Sequence, residues 1–317
     1  MTTLTVAVVS WNTRDLLERC LRSLEADSTA DVTEVWVVDN ASSDGSADMV
    51  RERFPWVKLI TAEENLGFGP AVNLVAARTA TPFLAAANAD IEVEPGALAA
   101  LLAAAEEHPG TGAAAPRLVT PDGRTQHSVY AFPTVGFTLF FNLGLYRLLP
   151  GSGDALCLEG RWDPEREREV DWAVGAFLLL TREAWEAAGG FDESQWMYAE
   201  DLDLGWRLAR RGWTTRYVPR ARVRHVGGAS TRQSWGEATT DRWLRSTYGW
   251  LLRRRGLAVT RLVALLNLAG AGARWLGFGA LAWLRPGRFA RDRDAMRGWF
   301  EAHRVGLAPR SELASHR

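Results

Sequence analysis

The chain has only two cysteines, Cys20 and Cys157, in 317 residues. Two thiols so far apart make neither a disulfide framework nor a metal-ligand pair, so a reducing compartment is the expected setting. Lysine is nearly absent. Lys58 is the single one, and the other 36 basic residues are arginine, a bias that reads as base composition rather than function. No Gly-x-x-x-x-Gly-Lys-Ser/Thr run occurs, which excludes a P-loop. No helix-turn-helix, RNP or zinc-finger pattern accompanies the basic residues, so nucleic acid is not an expected partner. The N-terminal run has no basic n-region and leads straight into strand-like sequence, so no signal peptide is expected. Internal repeats and low-complexity tracts are also missing.

What is present is a large apolar fraction, 47% of residues, enough for one large domain with an appendage or for two domains. The net charge of -1 hides a split. Residues 1–203 carry 14 basic and 32 acidic side chains, whereas residues 204–317 carry 23 and 6. A basic last third beside an acidic body points to an anionic partner, either lipid headgroups or an acidic substrate.

The first 115 residues alternate strand and helix signals. Strands are expected at 4–10, 34–39, 57–61 and 82–87, and helices at 13–26, 46–54, 70–79 and 97–107. This order predicts an α/β fold with a mostly parallel central sheet covered by helices. Ligands on such sheets bind at the carboxyl ends of strands. The polar signatures Ser10-Trp-Asn12, Asp39-Asn40 and Asn88-Ala-Asp90 all fall at those ends. Further strands are expected at 113–119, 171–180, 214–218 and 223–226, with helices from Thr181 to Gly189-Gly190 and over 202–211. A polar loop is expected over 154–169. The resulting organisation is an α/β domain over 1–230 and a helical, Arg- and Trp-rich region over 231–317 that serves membrane association or oligomerisation.

The segment 257–284 is apolar except for Thr260, Arg261, Asn267 and Arg274. Its length permits a membrane span, but Arg274 near the middle would be costly there. On one continuous helix Asn267, Arg274 and Arg285 fall within roughly 20° of each other, a polar stripe on an apolar rod. That pattern favours a helix lying in the membrane interface through 257–288. A span, soluble packing and a dimer contact stay open, and four glycines weaken the single helix. Trp235, Trp243, Trp250, Trp275, Trp283 and Trp299 suit an interfacial belt or helix packing.

The acidic run Glu200-Asp201-Leu-Asp203 carries the most chemistry, because paired carboxylates cost free energy to hold together. Read bottom-up, the pair is either a base beside its neighbour or a helix N-terminus biased toward negative charge. Asp39 is either a nucleoside contact in the crevice or a turn residue, and Asp-Asn-Ala-Ser-Ser-Asp-Gly45 is also plain turn chemistry. His225 is either a ligand or a structural histidine after a strand. Trp172 is either a sugar-stacking face or core.

Taken in order, Val-Val-Ser-Trp-Asn12, Val-Val-Asp39-Asn-Ala-Ser-Ser-Asp-Gly45, Asn65-Leu-Gly-Phe-Gly-Pro-Ala-Val-Asn73, Asn88-Ala-Asp90 and Ala-Glu200-Asp-Leu-Asp203 resemble family 2 glycosyltransferases, in particular the bacterial rhamnosyltransferase-like group, over about 4–230. The resemblance implies a GT-A fold, a nucleotide-diphosphate sugar donor, Mg2+ or Mn2+, and an inverting mechanism. It implies Asp201 as the catalytic base with Glu200 beside it. It implies Ser10, Asn12, Asp39, Asn40, Asn65, Gly67, Asn73 and Asn88 around the donor, and Asp90 with His225 at the metal. Trp172 and Gly175 are expected to line the sugar pocket. Asn88 stands where the family's metal motif has its first aspartate, which places the metal burden on Asp90. The expected reaction moves rhamnose or another hexose from dTDP or UDP to a lipid-linked or polysaccharide acceptor at the cytoplasmic membrane face. The rivals are a nucleotidyltransferase, which would normally show a Gly-rich Arg/Lys loop near the N-terminus, and a non-catalytic membrane-bound scaffold. Specificity is expected in 130–170 and beyond 230, and homo-oligomerisation through the C-terminal helices stays open.

Overall fold

The computed structural model describes residues 4–27, 32–195, 197–227 and 239–314. The chain divides into two compact units, Met1–Ala131 with Cys157–Gly236, and Phe132–Leu156 with Glu237–Arg317. Residues 132–156 thus interrupt the first unit and fold with the C-terminal helices.

The first unit opens with β1 (Leu4–Ser10), α1 (Arg14–Ala26), β2 (Val32–Asp39), α2 (Ser46–Arg53), β3 (Lys58–Thr61), α3 (Phe68–Ala76) and β4 (Phe83–Asn88). Then come β5 (Ile91–Val93), α4 (Ala97–Glu107), β6 (Thr111–Val119) and β7 (Val129–Tyr130). After the interruption follow β8 (Arg168–Val170), β9 (Trp172–Ala173), β10 (Phe177–Thr181), then helices Arg182–Ala188 and Glu200–Ala209, and β11 (Thr214–His225). The main sheet runs β3-β2-β1-β4-β10-β6-β11-β5, with β8 beside β11. Strands β1, β2, β3, β4, β6 and β11 point one way; β5, β8 and β10 oppose them.

Alternation along the strands builds two cores. Leu4, Val6 and Val8 of β1 join Leu17, Leu21, Met49 and Leu101 on one face. Ala7 faces the other way with Val72, Val75, Trp185 and Leu204. Period-two side-chain alternation therefore gives a three-layer sandwich with helices on both faces.

Three expectations change. The run expected as one strand over 171–180 is two strands in different sheets, broken at Val174-Gly175-Ala176. The two strands expected at 214–218 and 223–226 are one strand with an irregularity between Val218 and Arg222. Strand β5 follows Asp90 immediately and is too short for a periodic signal.

Topology brings many ends to one edge. Ser10 is in register with Asp39, Val9 with Asn88, and Ala87 with Phe177. Val119 is in register with Arg224, and Ile91 with His225. The carboxyl ends of β1, β2, β4, β6 and β11 and the amino ends of β5 and β10 consequently share this edge.

Helix Glu200–Ala209 is locked by a buried ion pair. Arg207 Nε lies 2.7 Å from Asp203 Oδ2, and Arg207 Nη1 donates to the carbonyls of Ala188 and Gly190 at 2.6 Å each. The Asp203 side chain has no solvent exposure and that of Arg207 only 12%. Removing one partner from such a pair leaves a buried charge uncompensated. Asp203→Asn is expected to cost about 3–5 kcal/mol of stability, read by denaturant unfolding. Asp203→Leu combined with Arg207→Met is expected to recover part of that loss.

Candidate functional site

The shared edge carries the site. Asp39 ends β2 and is 3% exposed. Its Oδ2 accepts from the Ser42 amide at 3.1 Å, while Oδ1 is buried with no hydrogen-bond partner. Asn40 donates from its side-chain amide to Gly67 O at 3.2 Å, and its Oδ1 is likewise unpartnered. Buried polar atoms are nearly always paired, so open acceptors on two consecutive residues are free to accept from a ligand.

The neighbouring residues hold the loop around those acceptors. Asn12, at φ +51°, accepts from the Ser43 amide at 2.8 Å. Asp44 accepts from the Arg14 amide at 2.8 Å and the Ser46 amide at 3.0 Å. Ser10 Oγ lies 3.1 Å from Thr13 Oγ1. Asn65 accepts from Gly67 N at 2.9 Å, an Asx turn whose third residue has φ +86° and so requires glycine.

Asn73, expected at the donor, has another task. Its Nδ2 donates to Phe191 O at 2.9 Å and its Oδ1 accepts from Phe191 N at 2.9 Å. This reciprocal pair ties α3 to the loop after Ala188. Asn65 and Asn73 therefore shape the loops rather than leave polar atoms open.

Asp90 and His225 meet where β5 and β11 begin and end. His225 Nε2 lies 3.4 Å from Asp90 Oδ1 and makes no hydrogen bond, and both side chains are under 10% exposed. His225 Nδ1 lies 2.8 Å from Gln126 Oε1. An amide oxygen accepts only, so Nδ1 donates in this contact and Nε2 is the ring nitrogen that faces Asp90. Gln126 was missed in the sequence. It returns beside β6 through the Pro121-Asp-Gly123 turn, where Gln126 N donates to Leu118 O at 2.8 Å, and no motif marks it. Asn88 ends β4, with its amide donating to Ala176 O at 2.9 Å.

Glu200 and Asp201 open the helix Glu200–Ala209, two residues earlier than the expected 202–211. Asp201 Oδ2 accepts from the Gly175 amide at 3.0 Å and Oδ1 from the Leu202 amide at 2.7 Å. Both acids keep a little solvent contact but are ringed by protein, and this desolvation raises both pKa values. Glu200 is pushed up to about 8, by burial first and by the Asp201 charge second, and its Oε2 has no partner. Asp201 has two backbone donors that favour its charged form. Within the pair, these donors favour the charge on Asp201 over Glu200.

Trp172 is buried and belongs to the wall. Its ring stacks on Tyr130 at 4.8 Å, and its Nε1 donates to Ala131 O at 3.3 Å. The other side abuts Gly205, where an added Cβ would fall 2.7 Å from Trp172 Cβ. Tyr130, also missed in the sequence, is pushed up to about 12 by burial, then by Glu159 and Asp201. Gly175 lies close enough to Asp201 that a Cβ there would sit 3.5 Å from Asp201 Cβ. The continuation His225-Val-Gly-Gly-Ala-Ser extends from Gly228 outside the described residues, as does Trp196.

Comparison with known proteins decides the family. Residues 5–151 match the family model for glycosyl transferase family 2, and residues 166–290 that for glycosyl transferase family group 2. An N-acetylglucosaminyl-diphospho-decaprenol L-rhamnosyltransferase of Mycobacterium tuberculosis is 34% identical over 244 residues, 72% of this chain and 77% of that protein. The chain belongs to glycosyl transferase family 2. A rhamnosyltransferase WbbL of Escherichia coli is 37% identical over 90 residues, 28% of this chain and 33% of that protein. In fold, this glycosyltransferase is similar to a mannosyltransferase of Pyrobaculum calidifontis solved with GDP-Man and Mn2+. The TM-score is 0.55 at 19% identity, over 96% of this chain and 84% of that one. The likeness supports the GT-A type of architecture.

The Glu200 shift has a testable sign. A carboxyl with a raised folded pKa stabilises the fold fully below its ordinary value and loses that contribution as pH rises through the folded value. Glu200→Gln should therefore gain melting temperature relative to wild type between pH 4.5 and about 8. Parallel curves over that window would contradict the assignment.

Proposed function

We propose that this glycosyltransferase moves rhamnose, or a related hexose, from a dTDP- or UDP-linked donor to a lipid-linked or polysaccharide acceptor, with inversion. The observation that carries this reading is the Asp201 carboxyl group, fixed by two backbone amides on the same sheet edge as the open acceptors of Asp39 and Asn40. The identity to a rhamnosyltransferase whose acceptor is a diphospho-decaprenol lipid supports the choice of sugar and acceptor class.

Asp39 Oδ1 accepts the pyrimidine N–H, a contact its burial makes selective. Gly67 and Asn65 shape the backbone beneath the base, and Asn40 fixes that loop. Asp90 and His225 fit a divalent cation: one carboxylate oxygen faces one imidazole nitrogen that makes no hydrogen bond. No cluster of three His, Cys, Asp or Glu forms among the described residues, so diphosphate and water complete the shell. When bound, Mg2+ or Mn2+ neutralises charge on the leaving diphosphate. Asp201 takes the proton of the acceptor hydroxyl as that oxygen bonds to the sugar C1 and the C1–O bond to the diphosphate breaks. Protonated Glu200 adds no second negative charge beside the base. Gly175 lets the wall approach Asp201 closely, and Trp172 holds that wall against the helix. Work on a lipid-linked acceptor supports a peripheral position at the cytoplasmic face of the membrane.

Asp201→Asn is expected to lower turnover about 100- to 10,000-fold with donor binding retained, measured with dTDP-rhamnose and a prenyl-diphosphate GlcNAc acceptor. Wild-type turnover in the variant would remove Asp201 as base. NMR of the product is expected to show the anomeric configuration opposite to the donor's. Gln126→Leu should raise the Mn2+ needed for half-maximal binding, followed by EPR with dTDP present, about 10- to 100-fold. Unchanged Mn2+ binding would separate His225 from the cation.

A further inference from the structure

Segment 257–284 wears its amphipathicity inside out. The helical run Thr239–Leu284 breaks at Gly256, whose φ of +81° and ψ of 170° no helix contains. Beyond the break, every hydrogen-bonding side chain other than tryptophan is used internally. Thr260 bonds Gly256 O at 2.9 Å. Arg261 donates to the carbonyls of Gly306 and Ala308 at 2.6 and 2.7 Å. Asn267 accepts from Asn142 Nδ2 at 2.9 Å and donates to Tyr248 Oη at 3.2 Å. Arg274 donates to Asn142 Oδ1 at 2.9 Å. Asn267 and Arg274 of the polar stripe read from the sequence therefore face Asn142 of helix Val135–Asn142, while Arg285 at its end is exposed.

The opposite side is left wholly apolar. Leu262, Leu265, Leu276, Trp283 and Leu284 are exposed, up to 72% for Leu276 and 85% for Trp283, with exposed alanines in the gaps between them. At about 100° per residue these positions occupy a sector about 100° wide and about 33 Å long. No charged residue falls in it. A water-facing helix shows the reverse pattern. The same unit exposes a second apolar group, Leu139, Leu143, Leu148 and Leu149, around Arg147. Among the described residues, Trp56 is the single large exposed hydrophobic outside this unit.

Charge selects the occupant. Residues 239–314 hold 14 arginines, no lysine and 5 acidic residues. The apolar sector is bracketed by exposed Arg255 before it and exposed Arg285 and Arg288 after it, with Trp283 at its end. Two copies meeting on this face would bring like charges together, whereas an anionic bilayer attracts them. An apolar sector ending in tryptophan and arginine is also the arrangement of a helix lying at the lipid boundary.

We propose that the outward face of helix 257–284 is a docking surface for an anionic lipid bilayer. The helix lies in the interface and does not cross it. The surface rests on the membrane-face reading above for its purpose, but its geometry and its test are independent of catalysis.

The experiment is vesicle flotation of the full-length protein at low salt. Vesicles of equimolar phosphatidylglycerol and phosphatidylcholine are compared with phosphatidylcholine alone. Wild type is expected to float with the anionic vesicles and less with the neutral ones. Leu265→Glu combined with Leu276→Glu should lower the floated fraction at least about tenfold with an unchanged melting temperature, since both side chains are exposed. Arg285→Gln with Arg288→Gln should weaken flotation on anionic vesicles only. Wild type left unbound by both vesicle types would overturn the proposal. So would a dimer in vesicle-free buffer, seen by light scattering, that the double glutamate variant splits. Flotation without sugar transfer would leave the surface standing and remove the acceptor reading; transfer without flotation would remove the surface alone.

Discussion

The hydrogen bond from the Gly175 amide to Asp201 joins the transfer site to the sheet. It exists because the chain breaks between β9 and β10, which frees the Gly175 N–H from any strand ladder. It also needs helix Glu200–Ala209 to begin where it does, so that Asp201 reaches Gly175 with one oxygen and Leu202 N with the other. Gly205 sustains the approach by letting the helix backbone lie on Trp172, and the Asp203–Arg207 pair fixes the helix to the carbonyls of Ala188 and Gly190. Two amide donors favour the charged form of Asp201 against the burial that raises its pKa. Its neighbour Glu200 is pushed up to about 8, by burial first and by the Asp201 charge second.

Strand direction explains why the remaining groups meet. Ser10, Asp39 and Asn88 end parallel strands, which places them on the carboxyl edge in any sheet of this kind. Gly175 and Asp90 arrive there because β10 and β5 run opposite to their neighbours, so their amino ends share that edge, whereas His225 ends the parallel strand β11. Gln126 is delivered by a tight turn after β6. The residues divide by what their polar atoms do. Asn12, Asp44, Asn65 and Asn73 each accept from a backbone amide. Asp39, Asn40, Glu200 and His225 each keep a buried atom open. In a folded protein such atoms are costly, and a ligand offsets the cost.

This division marks what sequence could and could not show. The β-branched run 4–10 and the Ala/Leu run 97–107 read directly as the elements found, since each has a buried face with a clear period. Motif order pointed to the family and to Asp39, Asp90, Asp201 and His225. Sequence did not distinguish Asn40 from Asn73, because an asparagine with an open side-chain oxygen and one that bonds Phe191 have the same local pattern. Nor did it reveal Gln126, whose relation to His225 depends on strand pairing across 99 residues of chain. The break at Gly175 was invisible because apolar residues flank it on both sides. The polar stripe of 257–284 was legible as a stripe, but its direction depends on Asn142, far away in the chain.

The two units thus carry separate chemistry. The first gathers open acceptors, an acid pair and a histidine along one edge; the second directs its polar groups inward and its leucines outward. The central claim is that the edge is one continuous donor site. It is tested most directly by a crystal structure of the Asp201→Asn protein with dTDP-rhamnose and Mn2+. The account predicts the pyrimidine N–H on Asp39 Oδ1, the cation between Asp90 and His225 Nε2, and the sugar beside residue 201. A nucleotide bound away from Asp39, or a cation held by other residues, would contradict it.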